Sequence, residues 1–199
     1  MVQTENRMNW LQKAGIVFLA IVMAFAFAGC SNQSDSKGEA SKLDYPDAQT
    51  LLVALWEQVA EDQKPAVIGG VGDEAAADMP QALDLGQKEN LEHALTVTPA
   101  LVDAAESGSS LMNAMMANSF TASVWQLKEG SDLKALVEEE GKKLQDNQWI
   151  CSFPDEYAVY GKDNFIVVCY GLTDQVKPFE EAVEKTLTNA ETVKGQFAE

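Results

Sequence analysis

The chain has 199 residues, and its 31 acidic side chains outnumber its 14 basic ones to leave a formal charge of −17. Arg7 is the only arginine, so the clustered guanidinium groups suited to phosphate backbones are missing and nucleic acid is excluded as a partner. The same acidity repels an anionic membrane surface or wall polymer; cationic peptides or metal ions remain electrostatically possible ligands, and plain solubility explains an acidic surface better.

Residues 1–13 are polar and carry Arg7 and Lys13, and residues 14–28 (AGIVFLAIVMAFAFA) hold no charge. Such an apolar run is short for a bilayer span, which needs about 20 residues, and it reads as the core of a secretory signal. Phe27, Ala28 and Gly29 then lead into Cys30. This junction resembles the lipobox of bacterial lipoproteins, with Phe27 where the family usually has Leu. The resemblance implies that the Cys30 thiol takes a diacylglyceryl group, that residues 1–29 are removed as a signal peptide, and that the chain stays at the extracytoplasmic face of the cell membrane. The residues themselves also allow an ordinary cleavage after Ala28, which would leave Cys30 a free thiol. Two acyl chains anchor stably where one is marginal. Cleavage before Cys30 would leave 12 lysines against 30 carboxylates. Residues 30–43 would form the lipidated cysteine and a flexible tether, too polar to order itself, reaching roughly 20 Å on average and about 45 Å at full stretch.

Residues 44–199 are long enough for a single extracytoplasmic domain with its own core. Asp47 offers an N-cap for a first helix in which Leu51, Leu52, Leu55, Trp56 and Val59 recur at helical spacing, with Pro65 as its stop. Residues 66–86, rich in glycine and acid, read as a long loop, and residues 87–118 as short helical pieces broken at Pro99 and Gly108. The period then changes: Phe120, Ala122 and Val124 alternate with Thr121, Ser123 and Trp125, which predicts a strand over 119–127. Ser131 is placed to cap a helix running to about 147, with Leu133, Leu136, Val137 and Leu144 on one face. A hairpin follows, strands 156–160 and 164–170, the second apolar enough to be covered on both faces. A last helix over 175–191 turns Val176, Phe179, Val183, Leu187 and Ala190 inward, with Pro178 in its first turn. The expected fold is therefore α+β: a small antiparallel or mixed sheet of about three strands covered by amphipathic helices.

The stretches MMANSFT (115–121), QWICSFPD (148–155) and FIVVCYG (165–171), in this order and spacing, resemble a family of uncharacterised lipoproteins from Firmicutes-type bacteria. The likeness covers most of residues 47–190, including KPAVIGGVGDE. It implies the anchor and the fold, and no catalytic residue.

Motifs with chemical meaning are few. Gly70-Val71-Gly72-Asp73-Glu74-Ala75 matches a dinucleotide fingerprint, yet Asp73 and Glu74 would face the phosphates, so a glycine turn explains it better. Ser131 and Lys134 match the S-x-x-K of penicillin-recognising enzymes, as do Ser34 and Lys37 inside the tether, and the companion motifs S-D-N and K-T-G do not occur. His93 is the only histidine on which a hydrolytic triad could be built. Met79, Met112, Met115 and Met116 with His93 suggest a soft-metal site, or else a core stripe at helical spacing. Glu138-Glu139-Glu140 and Glu180-Glu181 read as solvated helix faces, and Cys151 and Cys169 as buried thiols or a disulfide. No catalytic group, metal or cofactor is assigned. The expectation is a lipid-anchored, non-enzymatic binding or interaction module, held to the membrane through Cys30 and engaging an unnamed protein or small molecule; the alternatives are a small cell-envelope hydrolase or a soft-metal-binding lipoprotein.

Overall fold

A computed structural model describes residues 42–72, 75–150 and 152–197. Cys30 and its neighbours Phe27, Ala28 and Gly29 lie outside the described residues, as do Cys151, Asp73 and Glu74.

The helices among the described residues are α1 (Ala48–Trp56), α2 (Lys88–Leu95), α3 (Pro99–Ala104), α4 (Leu133–Gln145) and α5 (Thr173–Thr186). The strands are β1 (Val67–Gly69), β2 (Ala76–Ala77), β3 (Gln81–Ala82), β4 (Ala105–Asn113), β5 (Phe120–Leu127), β6 (Glu156–Lys162), β7 (Phe165–Gly171) and β8 (Glu191–Gln196). They form one open sheet of eight strands in the order β2-β1-β4-β5-β7-β6-β8, with β3 pairing β4 beyond the end of β1. Every pairing is antiparallel. The class is α+β as expected, but the expected sheet of about three strands is corrected to eight.

Alternation along the central strands divides the core into two. Phe120, Ala122 and Val124 of β5 and Phe165, Val167 and Cys169 of β7 face α1 and α5, joining Leu51, Leu55, Trp56, Phe179 and Val183. Trp125, Ile166, Val168 and Tyr170 face the other way, against Leu91, Leu101, Leu136 and Leu144 of α2, α3 and α4. Period-2 side-chain alternation makes a central strand apolar on both faces only when both are covered. All seven residues of β7 are buried, as its apolar run predicts.

The strands missing from the sequence expectation lack that signal. β4 carries Gly108, Ser109 and Ser110 where a strand would usually show branched side chains, and its leucine and methionine suggest helix. Small residues suit the site: a Cβ on Gly108 would press on the Trp125 ring, and Ser109 Oγ donates to the Gln81 carbonyl at 2.8 Å. Gly69 is required in β1 because a Cβ there would collide with the backbone of Met79 to Gln81. β8 is a half-exposed edge strand, mostly polar, laid under α4 at Gly141, where any Cβ would strike Val193. Residues 187–190 turn the chain out of α5, with Asn189 at φ 60°, so the helix ends at Thr186 instead of 191.

Asp47 caps α1 as expected, its Oδ1 accepting Thr50 N–H at 2.7 Å. That helix ends at Trp56, well before Pro65, because the next turn tightens into i→i−3 bonds from Gln58 and Val59. α4 is capped by Asp132, whose Oδ1 accepts Ala135 N–H at 3.1 Å, and not by Ser131. Pro178 falls in the second turn of α5 and not the first, so its missing N–H leaves one intrahelical bond unmade. Among the described residues no helix is long and apolar enough to cross a membrane.

Candidate functional site

The hydrogen-bond register defines two poles of the sheet. Gly171 of β7 lies opposite Phe120 of β5 and Glu156 of β6, and Val67 lies opposite Asn113. One pole therefore carries the β4–β5 loop (114–119), the α4–β6 connection (146–155) and the start of α5. At the other pole Asp163, with φ 54°, and Asn164 turn β6 into β7.

The chain enters the fold at this second pole, where Leu43 N–H donates to Asp163 Oδ2 at 2.7 Å and Leu43 and Tyr45 pack on the first core. The seven residues of β7 separate the poles by roughly 20 Å.

Among the described residues, the first pole gathers most of the exposed large apolar side chains: Met115 at 89%, Met116 at 51%, Ile150 at 78% and Phe153 at 67% exposure. These loops are tied down. Asn113 Oδ1 accepts from Met115 and Met116 N–H at 2.9 and 3.1 Å, and its Nδ2 donates to Gln175 Oε1 at 2.9 Å. Asn118 Nδ2 links the two loops by donating to the Ser152 carbonyl at 3.1 Å. Asp155 Oδ2 accepts Thr173 N–H at 2.8 Å and so serves the start of α5, where Leu172 supplies no side-chain cap. Held backbone under exposed apolar tips presents a contact surface at small entropic cost.

Beside these loops a groove of about 630 Å³ runs between the end of α1 and the β1–β3 region, with Val53, Trp56, Pro65 and Met79 among its walls. Its Ala66 wall is tied to the β4–β5 loop, since Ala114 N–H donates to the Ala66 carbonyl at 2.9 Å. Lys64 lies over the Trp56 ring, 5.4 Å from its centroid, and pairs with Glu61 at 2.5 Å.

Buried charge marks two further places where residue type and spacing suggest only solvated faces. Glu180 is 3% exposed, and its Oε2 accepts from both Lys177 and Lys194 at 3.0 Å. Lys177 reaches on to buried Glu156 at 3.1 Å, and Lys194 to Glu184 at 2.6 Å. The hydrogen bond to Glu180 leads in raising the Lys177 ammonium, and the one to Lys194 leads in lowering the Glu184 carboxyl. The ladder clamps α5 to β6 and β8. Glu140 on α4 is fully buried; its Oε2 accepts Thr98 N–H at 2.9 Å, while Oε1 has no partner among the described residues. Burial pushes this carboxyl up to about 7, against the opposing Thr98 bonds. Helical position gives no warning of either, because the covering β8 and α3 come from elsewhere in the chain.

The remaining candidates do not converge. Gly70 and Gly72 take φ 81° and 75° in the turn from β1 to β2, so a strand and not a helix follows the glycines. Ser131 Oγ donates to the Lys128 carbonyl at 2.8 Å, and Lys134 points to solvent. His93 is exposed on α2. Met112 is buried in the second core while Met115 and Met116 project from the loop, which corrects the helical stripe to a strand and its turn. Cys169 is a free, buried thiol held well above its usual pKa by burial, hence unreactive near neutrality. Among the described residues no three His, Cys, Asp or Glu side chains come together to hold a metal. No protein-family model, curated protein or solved structure matches the chain.

Proposed function

We propose that this protein is a membrane-tethered lipoprotein of the extracytoplasmic face, anchored through diacylglyceryl-Cys30, and that it works as a binding module through the loop pole of its sheet. The observation that carries the reading is polarity: Met115, Met116, Ile150 and Phe153 stand exposed at the pole opposite the one where Leu43 enters the fold. A flexible tether arriving at the Asp163 turn leaves the apolar loops, at the opposite pole, free to meet a partner away from the attachment point. Exposed apolar clusters on otherwise charged surfaces mark contact sites, and here they project from loops secured by side-chain hydrogen bonds.

The test is photo-crosslinking in intact membranes, with a benzophenone side chain at Met115 or Phe153 and, as control, at Glu129 near the tether pole. Discrete adducts from the first two positions and none from the third are expected. Equal labelling from all three positions, or none from any, overturns the assignment.

A further inference from the structure

We infer that the contact between Glu140 and Thr98 is a pH-sensitive latch on the segment that carries α2 and α3 (88–104): while Glu140 is protonated the segment stays shut on the sheet, and once the carboxylate forms it opens more often.

The segment is a cover of two short helices, eight and six residues long, joined through Thr96 at φ 53°. Leu91, Leu95, Val97, Leu101 and Val102 bury in the second core and favour the closed cover at every pH. Polar ties add to them: Lys128 Nζ donates to the Asp103 carbonyl at 2.7 Å, Tyr170 Oη to Thr96 Oγ1 at 3.4 Å, and Thr98 N–H to Glu140 Oε2 at 2.9 Å. Glu140 therefore changes how often the cover opens, and not which state prevails.

The latch sits at the start of α3. Thr98 caps that helix, its Oγ1 accepting Leu101 N–H at 3.2 Å. Glu140 behind it is fully buried, and Oε1 has no partner among the described residues. A neutral carboxyl needs one oxygen for the Thr98 N–H, whereas an ionised one brings two acceptor oxygens to a place that serves one. Lifting α3 brings the carboxylate to water. A cleft of about 410 Å³ already follows this seam, lined by Thr98 and Pro99 of the cover and by Glu139, Lys142 and Lys143 of α4. An open cover also bares Tyr170, one residue from the Gly171 that ends β7 at the loop pole.

Neighbouring charges leave burial in command. Lys143 favours the ionised carboxyl and Glu139 the neutral one, each less than burial does. From other elements come the Tyr170 phenol of β7 and, beside Asp146, the Tyr157 phenol of β6. Asp103 of α3 is exposed and paired with Lys88, Lys194 of β8 is held by Glu180 and Glu184, and Glu92 and His93 of α2 and Glu191 of β8 make no bond to Glu140.

The test is hydrogen exchange of the full chain in detergent micelles, read by mass spectrometry on peptides spanning 96–104 and 165–171. Samples at about pH 5, 6, 7 and 8 are labelled for times scaled to the intrinsic amide rate. A carboxyl that titrates at about 7 under the cover and 4.5 in water predicts that protection of 96–104 falls about 70-fold between pH 5 and pH 8, mostly below pH 7. That protection should stay below the protection of β7 throughout, and Glu140→Gln should abolish its pH dependence. Constant protection of 96–104 in the wild type overturns the latch, whether or not the variant folds. So does equal protection of the two peptides, which would mean that the cover opens only when the whole domain unfolds, and so does the same pH dependence in Glu140→Gln.

Discussion

Glu140 gives the sharpest quantitative expectation. Its carboxyl is raised to about 7 in the folded protein against the usual 4.5, because α3 and α4 bury it. A carboxyl raised in this way binds its proton more tightly in the folded chain than in the unfolded one. The folded state is therefore favoured as pH falls through the window from 7 toward 4.5, and the full cost of the buried charge is met above 7. A difference of one pH unit in a proton's affinity is worth about 1.36 kcal/mol, so stability changes by about 3 kcal/mol between the two ends of the window. Glu140→Gln keeps an oxygen for Thr98 N–H and removes the titration. Urea unfolding of both proteins at about pH 5, 6, 7 and 8 isolates the effect, since Asp84 and Glu184, whose lowered carboxyls push the opposite way, are common to both. The wild type should gain about 2.5 kcal/mol on the variant between about pH 8 and pH 5, with most of the change below about pH 7. Parallel stability profiles would show that Glu140 is not held in this way.

Other expectations follow from single contacts. Gly69→Ala forces a Cβ against the backbone of Met79 to Gln81 and should cost about 3 kcal/mol or prevent folding, measured by chemical denaturation. Asp47→Ala removes the acceptor for Thr50 N–H and should lower stability by about 1 kcal/mol in the same assay. Met115→Ser with Phe153→Ser, both at exposed positions, should change stability by less than about 0.5 kcal/mol while abolishing crosslinked adducts from Ile150. Cys30→Ser should move the protein from the detergent phase to the aqueous phase on phase partitioning, and its N-terminal mass should lack the diacylglyceryl group.

Elements whose residues face a core on a regular period are legible in the sequence. The apolar spacing of Leu51, Leu52 and Leu55, the alternation along β5 and the unbroken apolar run of β7 each reflect local periodicity, and the structure holds a helix and two strands there. Asp47 is legible as a cap because its acceptor serves an N–H only three residues away. By contrast, β4 is a strand because β5 on one side and β1 and β3 on the other supply hydrogen bonds that its serines and glycine could not announce. β8 has a single inward apolar residue, Val193, and is decided by the space α4 leaves at Gly141. Glu140 and Glu180 show the same division on the scale of one side chain. Their helical positions are readable, but burial depends on what another segment lays over them, and only tertiary structure brings Thr98 to one and Lys194 to the other. The apolar loop pole belongs to that second class as well. Met115, Ile150 and Phe153 are ordinary core residues by type, and only the antiparallel register, which sets their loops at one end and Leu43 at the other, leaves them facing solvent together.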